Sequence, residues 1–198
     1  MTKRLMFTVI ALACCFGLIA CSPAKAPTEA AIKATEEALA GIKNNASVYV
    51  PDQLKAVEDS LAAAKESFQK GEYQQALTAA KELPAKAKDL ATAVASKKDE
   101  LTKSWQDMSG TLPGMVETIQ QRVNDLSKSR RLPAGIDTAK FEAAKSDLAA
   151  MTQTWTEATS AFTGGNLMDA VTKANTVKGK AAEIMNALGM KAPEAAMK

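Results

Sequence analysis

The residues best suited to chemistry lie near the N-terminus, where Leu18-Ile19-Ala20 precedes Cys21. A thiol that has lost its proton is a strong nucleophile, so this cysteine is suited to covalent modification. A short positive region, Lys3 and Arg4, and an apolar run over residues 5–20 come before it. This order is typical of a secretory signal peptide, and the run is shorter than the roughly 20 residues of a membrane-spanning helix.

The four residues Leu18-Ile19-Ala20-Cys21 resemble the lipobox of bacterial lipoproteins, with an aliphatic residue three before the cysteine and a small one just before it. The resemblance implies that the Cys21 thiol is joined to a diacylglycerol and that a peptidase cuts between Ala20 and Cys21. It also implies acylation of the new amino group. At about 0.8 kcal/mol per buried CH₂, two or three lipid chains together anchor a protein stably. An ordinary signal peptide with an incidental cysteine is the alternative.

Ser22 follows the acceptor cysteine. In lipoproteins of double-membraned bacteria, an Asp at this position favours the inner membrane, and other residues favour transfer outward. The resemblance therefore implies a protein of the outer membrane, anchored by lipid and facing the periplasm.

The composition after cleavage limits the possible functions. Removal of residues 1–20 takes away Lys3 and Arg4, which leaves 23 basic and 22 acidic side chains among 178 residues. Nucleic-acid binding is not expected, because it calls for a clustered basic face. The chain has no histidine, and Cys21 would be its sole remaining cysteine. Ser-His-Asp triads, Cys-His pairs and the usual zinc, copper and haem sites are therefore excluded, and we expect no cofactor.

Beyond the signal peptide the chain predicts an all-α protein, since alanine is abundant and strand-like alternation is missing. Residues 21–27, with two prolines, predict an extended, lipidated tether. Asp52 is a candidate cap for the second helix, Gly71 its candidate end, and Gly110–Gly114 a break between the third and fourth. Pro84 predicts a kink. We expect six helices, over residues 28–46, 52–70, 72–108, 114–130, 137–163 and 166–188.

Apolar residues recur in these helices at spacings that average about 3.5, as in helices that pack at a shallow angle. Short connections make neighbouring helices antiparallel. The sequence therefore predicts an elongated antiparallel helical bundle. Its parts would be a first three-helix unit over residues 28–110, a second over residues 111–189 and a flexible tail over residues 190–198.

An internal repeat supports two such units. A shift of 94 residues places Phe68-Gln-Lys-Gly71 over Phe162-Thr-Gly-Gly165. Upstream, a shift of 87 places Leu54 over Phe141 and continues as far as Trp155. The shifts differ by one heptad, which keeps the apolar face in register. The sequence predicts a duplicated three-helix unit, and chance similarity among alanine-rich helices is the alternative.

Three short motifs, Ala30-Ala31-Ile32, Tyr49-Val50-Pro51-x-x-Leu54 and Gly71-Glu-Tyr73-x-x-Ala76, lie within residues 30–90. Through them, this segment resembles an uncharacterised helical domain of bacterial envelope lipoproteins. The turn at residues 68–77 is also similar to that of a tetratricopeptide repeat, but that family's first-helix signature is missing and its period of about 34 residues is too short. The envelope family has no assigned activity, so the resemblance implies a location and a fold without a mechanism.

Two groups of residues on the predicted helices invite a catalytic or binding interpretation. Adjacent residues diverge on a helix, so the acidic pairs indicate a solvated face rather than paired catalytic carboxylates. Trp105 and Trp155 fall on the apolar stripe, which favours a place in the core over ligand stacking. The acidic pairs are Glu36-Glu37, Glu58-Asp59 and Asp99-Glu100.

Lys128, Arg130 and Arg131 form the densest basic cluster. They are suited to contact lipid headgroups, cell-wall carboxylates or an acidic partner, although basic residues are also favoured at helix C-termini. Together these features predict a non-enzymatic, lipid-anchored helical scaffold that binds a protein or peptidoglycan partner. A carrier that holds a small apolar molecule or lipid near Trp105 or Trp155 is the alternative, and a carboxylate-based cell-wall hydrolase is a third.

Overall fold

The computed structural model describes residues 23–191. This part of the chain folds into five α-helices without a strand, which confirms the all-α prediction. The predicted cleavage and lipidation residues, Ala20 and Cys21, lie outside the described residues, as does most of the predicted tail. The helices are α1 (Lys25–Tyr49), α2 (Pro51–Gln69), α3 (Tyr73–Lys128), α4 (Thr138–Thr163) and α5 (Leu167–Ala187).

Helix α1 begins at Lys25, so the prediction of an extended tether is wrong for residues 25–27. Pro27 lies in the first turn, where its missing N–H removes no intrahelical hydrogen bond. Ala24, just before the helix, is buried, and its carbonyl accepts hydrogen bonds from the backbone N–H (3.2 Å) and the hydroxyl (2.6 Å) of Thr28. The start of α1 is therefore packed into the protein.

Helix α2 begins at Pro51, with Val50 as the preceding residue and no side-chain cap. The prediction that Asp52 caps this helix is wrong, because the fixed φ of Pro51 already starts the helix one residue earlier. Asp52 lies in the first turn instead, near the positive end of the helix dipole. The predicted end is confirmed, since the helix stops at Gln69 and Gly71 follows with a φ of 81°.

Helix α3 is continuous, so the predicted break at Gly110–Gly114 is wrong. Gly110, Pro113 and Gly114 all lie on the exposed face, whereas Leu112 between them is 1% exposed. An internal proline costs about 3 kcal/mol and a glycine about 1 kcal/mol relative to alanine. Burial of each large apolar side chain contributes about 1.5–3 kcal/mol, and the buried stripe at this segment outweighs the cost. That stripe comprises Trp105, Met108, Leu112, Met115 and Ile119.

The chain divides into two compact units, which meet between Ala95 and Ser96 inside α3. The sequence placed this boundary between residues 110 and 111. Unit 1 holds α1, α2 and the first part of α3, and unit 2 holds the rest of α3 with α4 and α5. The buried core of unit 1 comprises Ile32, Leu39, Ala46, Leu54, Val57, Leu61, Ala64, Ala80, Leu83, Leu90 and Val94.

The turn after α2 and the turn after α4 have the same hydrogen bonds. In the first, Gly71 N–H donates to the Phe68 carbonyl (3.1 Å), and Glu72 N–H donates to the Ser67 carbonyl (3.0 Å). Two such bonds back to the last helical turn define a Schellman ending, which favours a glycine in the left-handed region. Residues 94 positions later make the same two bonds, from Gly165 to Phe162 (3.0 Å) and from Asn166 to Ala161 (2.8 Å).

The two aligned helical hairpins also bury the same positions. In the helices after the turns, the buried residues that the 94-residue shift pairs are Ala76, Ala80, Leu83, Ala87 and Leu90 with Ala170, Ala174, Val177, Ala181 and Ile184. In the helices before the turns, the 87-residue shift pairs Leu54, Val57, Leu61 and Ala64 with Phe141, Ala144, Leu148 and Met151. The register predicted from the sequence therefore matches the burial in the structure.

Candidate functional site

The basic cluster Lys128, Arg130 and Arg131 lies at the end of α3 and in the loop before α4. All three side chains are exposed, and none has a hydrogen bond or ion pair with another described residue. The loop is fixed at its far end, where Ile136 is buried and its N–H donates to the Pro133 carbonyl (3.1 Å). The cluster thus offers three positive charges, one at the end of α3 and two on the loop that follows, without a side-chain partner among the described residues.

Ten lysines elsewhere among the described residues form ion pairs, whereas others, such as Lys81 and Lys103, have no side-chain partner there. Eleven ion pairs form there, and each uses a lysine outside the basic cluster. Most link residues three or four apart on one helix, where an exposed pair contributes little to stability. The Glu66–Lys70 pair is an example: the hydrogen bond from Lys70 (2.6 Å) lowers the pKa of Glu66 and raises that of Lys70.

The acidic pairs singled out in the sequence diverge, as predicted for a solvated face. Glu36 pairs with Lys65, whereas its neighbour Glu37 faces Lys33 at 4.0 Å. The second pair separates in the same way, with Glu58 on Lys43 (2.7 Å) and Asp59 on Lys55 (2.9 Å). Among the described residues, no group of three or more Cys, Asp or Glu side chains could hold a metal ion.

Trp105 lies in the core of unit 2, as predicted, and Trp155 is half-buried. The Trp105 ring stacks on Trp155 with centroids 5.6 Å apart and planes 13° apart. It also stacks on Phe162, at 4.6 Å and 12°. Trp155 and Phe162 are seven residues apart on α4, or about 10.5 Å along the helix. Trp105 is 5% exposed, so its ring is enclosed by side chains of the protein itself.

Each unit has an open groove between its first two helical segments. The groove of unit 1 lies between α1 and α2, and the groove of unit 2 between the end of α3 and α4. The lining positions of the two grooves correspond in sequence. Those on α1 match positions 84 residues later on α3, and those on α2 match positions 87 residues later on α4. The unit 1 lining is Glu36, Leu39, Ala40, Lys43, Glu58, Leu61, Ala62 and Lys65, and the unit 2 lining is Gln120, Val123, Asn124, Ser127, Lys145, Leu148, Ala149 and Thr152.

The two grooves differ in charge. Two ion pairs bridge the unit 1 groove, Lys43–Glu58 (2.7 Å) and Lys65–Glu36. The matching positions of unit 2 hold neutral side chains apart from Lys145, which pairs with Glu142 on its own helix (3.0 Å). The unit 2 groove therefore lacks bridging ion pairs among the described residues, and its lining residue Ser127 directly precedes Lys128 in the chain.

Arg122 was not singled out by the sequence, because it stands among polar residues on α3. Its guanidinium reaches the end of α5, where Nη2 donates to the Leu188 carbonyl (3.4 Å). A cation at a helix C-terminus satisfies a free carbonyl and opposes the negative end of the helix dipole. The buried Nε has no hydrogen-bond partner among the described residues. Arg122 joins α3 to α5 within unit 2.

None of the helices within residues 23–191 combines the length and the apolar character needed to cross a membrane. No family model matches the chain, and neither a curated protein nor a solved structure matches it.

Proposed function

We propose that the protein is a non-enzymatic lipoprotein of the outer membrane, anchored by lipid on Cys21, whose helical units bind an acidic protein or peptidoglycan partner in the envelope. The motif Leu18-Ile19-Ala20-Cys21 supports the anchor, and Ser22 supports the location. The observation that carries the binding role is the density of the exposed basic cluster: Lys128, Arg130 and Arg131 place three charges within four residues, and none pairs with another described residue. Exposed charge without an internal partner steers and orients an oppositely charged partner.

The neighbouring groove of unit 2 extends this surface. Its amide and hydroxyl side chains include Asn124, Ser127 and Thr152, and no ion pair among the described residues crosses it. The two hydroxyls already donate to carbonyls of their own helices (2.8 Å each), and Asn124 Oδ1 accepts from Gln120 (3.2 Å). The hydroxyl oxygens and the Asn124 amide N–H groups are what the groove offers a partner. Partner carboxylates would meet the basic cluster while polar groups of the partner meet the groove. In unit 1 the equivalent groove is bridged by ion pairs and is a weaker candidate.

We also propose that the two units arose by duplication of an antiparallel three-helix bundle. The shared Schellman turns, the shared buried positions and the corresponding lining positions of the two grooves support this duplication. An elongated shape of the whole protein stays a prediction, which small-angle X-ray scattering of the mature chain would measure.

The binding role is tested by pull-down from detergent-solubilised envelopes. The mature lipidated protein is compared with a variant in which Lys128, Arg130 and Arg131 are all replaced by Ala. The matched control carries three other exposed lysines replaced by Ala, Lys33, Lys55 and Lys180, which gives the same change in charge. We expect the parent and the control to recover one stoichiometric partner and the cluster variant to lose it. Recovery of no stoichiometric partner by the parent would overturn the proposal.

The carrier remains the alternative function. A ligand beside Trp105 would need exposed ring surface, but Trp105 is 5% exposed and stacks on Trp155 and Phe162. The described grooves are open to solvent, whereas carrier sites enclose most of the ligand surface. Native mass spectrometry of the purified mature protein separates the two functions, because a retained small molecule would favour the carrier.

A further inference from the structure

We propose that one end of unit 1 faces and touches the lipid bilayer. This end, here called the anchor end, consists of the first turn of α1 and the turn between α2 and α3. The proposal rests on the acylation of Cys21 proposed above, and it adds which surface of the protein meets the membrane.

The first reason is the length of chain between the lipid and the folded protein. Ala24 is already 4% exposed and hydrogen-bonded to Thr28, so only three peptide steps separate Cys21 from a fixed residue. Three steps span at most about 11 Å when fully extended. Helix α1 has 25 residues and is about 37 Å long. The tether is less than a third as long as α1, so the start of α1 stays close to the lipid headgroups.

The second reason is what lies beside the start of α1. Lys25 Nζ is 5.8 Å from the centroid of the Tyr73 ring, and Tyr73 packs edge-on against Phe68 at 5.2 Å. The turn between α2 and α3 therefore shares this end of unit 1. Tyrosine is favoured at the headgroup level, where its ring is partly buried in lipid and its hydroxyl stays hydrated.

Charge is not the main attraction at this end. Lys70, in the turn between α2 and α3, forms an ion pair with Glu66 in the last turn of α2, so charges of both signs lie at or beside the anchor end. Contact between the anchor end and the bilayer follows from the short tether and the aromatic side chains. The same contact is therefore expected on vesicles with and without anionic lipid.

The opposite end of α1 provides the comparison. Val48 is 50% exposed and lies 23 residues after Lys25, or about 35 Å along the helix. If the anchor end alone touches the bilayer, Val48 stands away from it. If unit 1 lies flat, both ends are equally near the lipid.

The test uses one introduced cysteine at a time. Cys14 and Cys15 leave with the signal peptide and the thiol of Cys21 is consumed by lipid, so an introduced cysteine is the only free thiol. The variants are Gln69→Cys at the anchor end and Val48→Cys as the control, and both positions are exposed. Each lipidated protein is labelled with an environment-sensitive fluorophore and reconstituted into vesicles of phosphatidylethanolamine and phosphatidylglycerol. A fraction of the lipid carries a spin-label quencher on its headgroup.

We expect quenching several-fold stronger at position 69 than at position 48, and the same contrast in phosphatidylcholine vesicles. Equal quenching at the two positions, or stronger quenching at position 48, would overturn the proposal. Unchanged thermal unfolding of both labelled proteins shows that they are folded. Mass spectrometry of the N-terminal peptide separates failure of the proposed lipid anchor from failure of the proposed orientation. If Cys21 is not acylated, the proposed lipid anchor is wrong. If Cys21 is acylated but quenching is equal at positions 69 and 48, only the orientation is wrong.

Discussion

Trp105 and Phe162 stack face to face, with ring centroids 4.6 Å apart and planes 12° apart, although they stand on different helices of unit 2. Trp105 also stacks on Trp155, with centroids 5.6 Å apart. A ring stacked on two rings of one helix restricts how α3 and α4 slide and rotate against each other. This stack is therefore one specific contact in the packing of this helix pair.

Replacing Trp105 by Ala should destabilise the protein by about 3–5 kcal/mol, since the change leaves a cavity beside the two remaining rings. Trp105→Phe should destabilise it less, because a smaller ring still fills part of that space. Urea unfolding followed by far-UV circular dichroism measures both. The apolar cavity of the Ala variant should take up indole, so added indole should raise its melting temperature and leave the parent unchanged. A loss below about 1 kcal/mol would mean that the stack contributes little.

Gly110→Ala and Gly114→Ala should each stabilise the protein by about 0.5–1 kcal/mol, because alanine is favoured in a helix and restricts the unfolded chain. Both glycines are exposed and have no atom within 4 Å of an added Cβ. Leu112→Ala is the contrasting variant and should destabilise the protein by about 2–5 kcal/mol, since that side chain is buried. Chemical unfolding measures all three. Destabilisation by either alanine would argue for a break in α3 at this point.

Gly71→Ala and Gly165→Ala should destabilise the protein by similar amounts, about 1–2 kcal/mol each, because an L-residue is disfavoured in the left-handed region. Both glycines have a φ of 81°, and an added Cβ meets no atom within 4 Å at either. The cost is therefore one of backbone conformation and not of packing. Calorimetry of the two variants compares the turns directly. Clearly unequal losses would argue against equivalence of the turns and weaken the case for duplication.

Lys70→Met should raise the pKa of Glu66 towards its ordinary value, since the hydrogen bond from Lys70 and then its charge are what lower it. Because the pKa of Glu66 is lower in the folded state, its contribution to stability is present above the unfolded pKa. That contribution is lost as the pH falls through the folded value. NMR titration of the Glu66 carboxyl carbon measures the change. Lys55→Met is the control and should leave Glu66 unaffected, because Lys55 pairs with Asp59. An unchanged pKa in the Lys70 variant would rule out the pair in solution.

The sequence was sufficient to predict local features that depend on a single residue or on the helical spacing of apolar residues. The glycine at position 71 marked the end of α2, and the apolar stripes marked the buried faces of both hairpins. It failed where a local signal competed with burial elsewhere in the fold. Prolines predicted an extended tether before Thr28, yet Ala24 is buried and α1 starts at Lys25. Proline in a first turn leaves no hydrogen bond unmade, so the composition was misleading there.

The candidate binding surface could likewise be predicted only in part from the sequence. Lys128, Arg130 and Arg131 could be chosen from the sequence because they are dense in charge, but whether they pair with other described residues depends on where the carboxylates lie in the fold. The contrast between the two grooves was not visible in the sequence, since it depends on ion pairs between residues far apart along the chain, such as Lys43 and Glu58.

The sequence by itself determined the helical class and the register of the two hairpins, because periodicity is a local property of a chain. Only the tertiary structure decided that α3 runs unbroken through Gly110 and Gly114 and that Trp105 is buried against Trp155 and Phe162. It also showed that the chain folds within three residues of Cys21. Each of these depends on burial against distant residues, and that free energy outweighs the preference of the local segment.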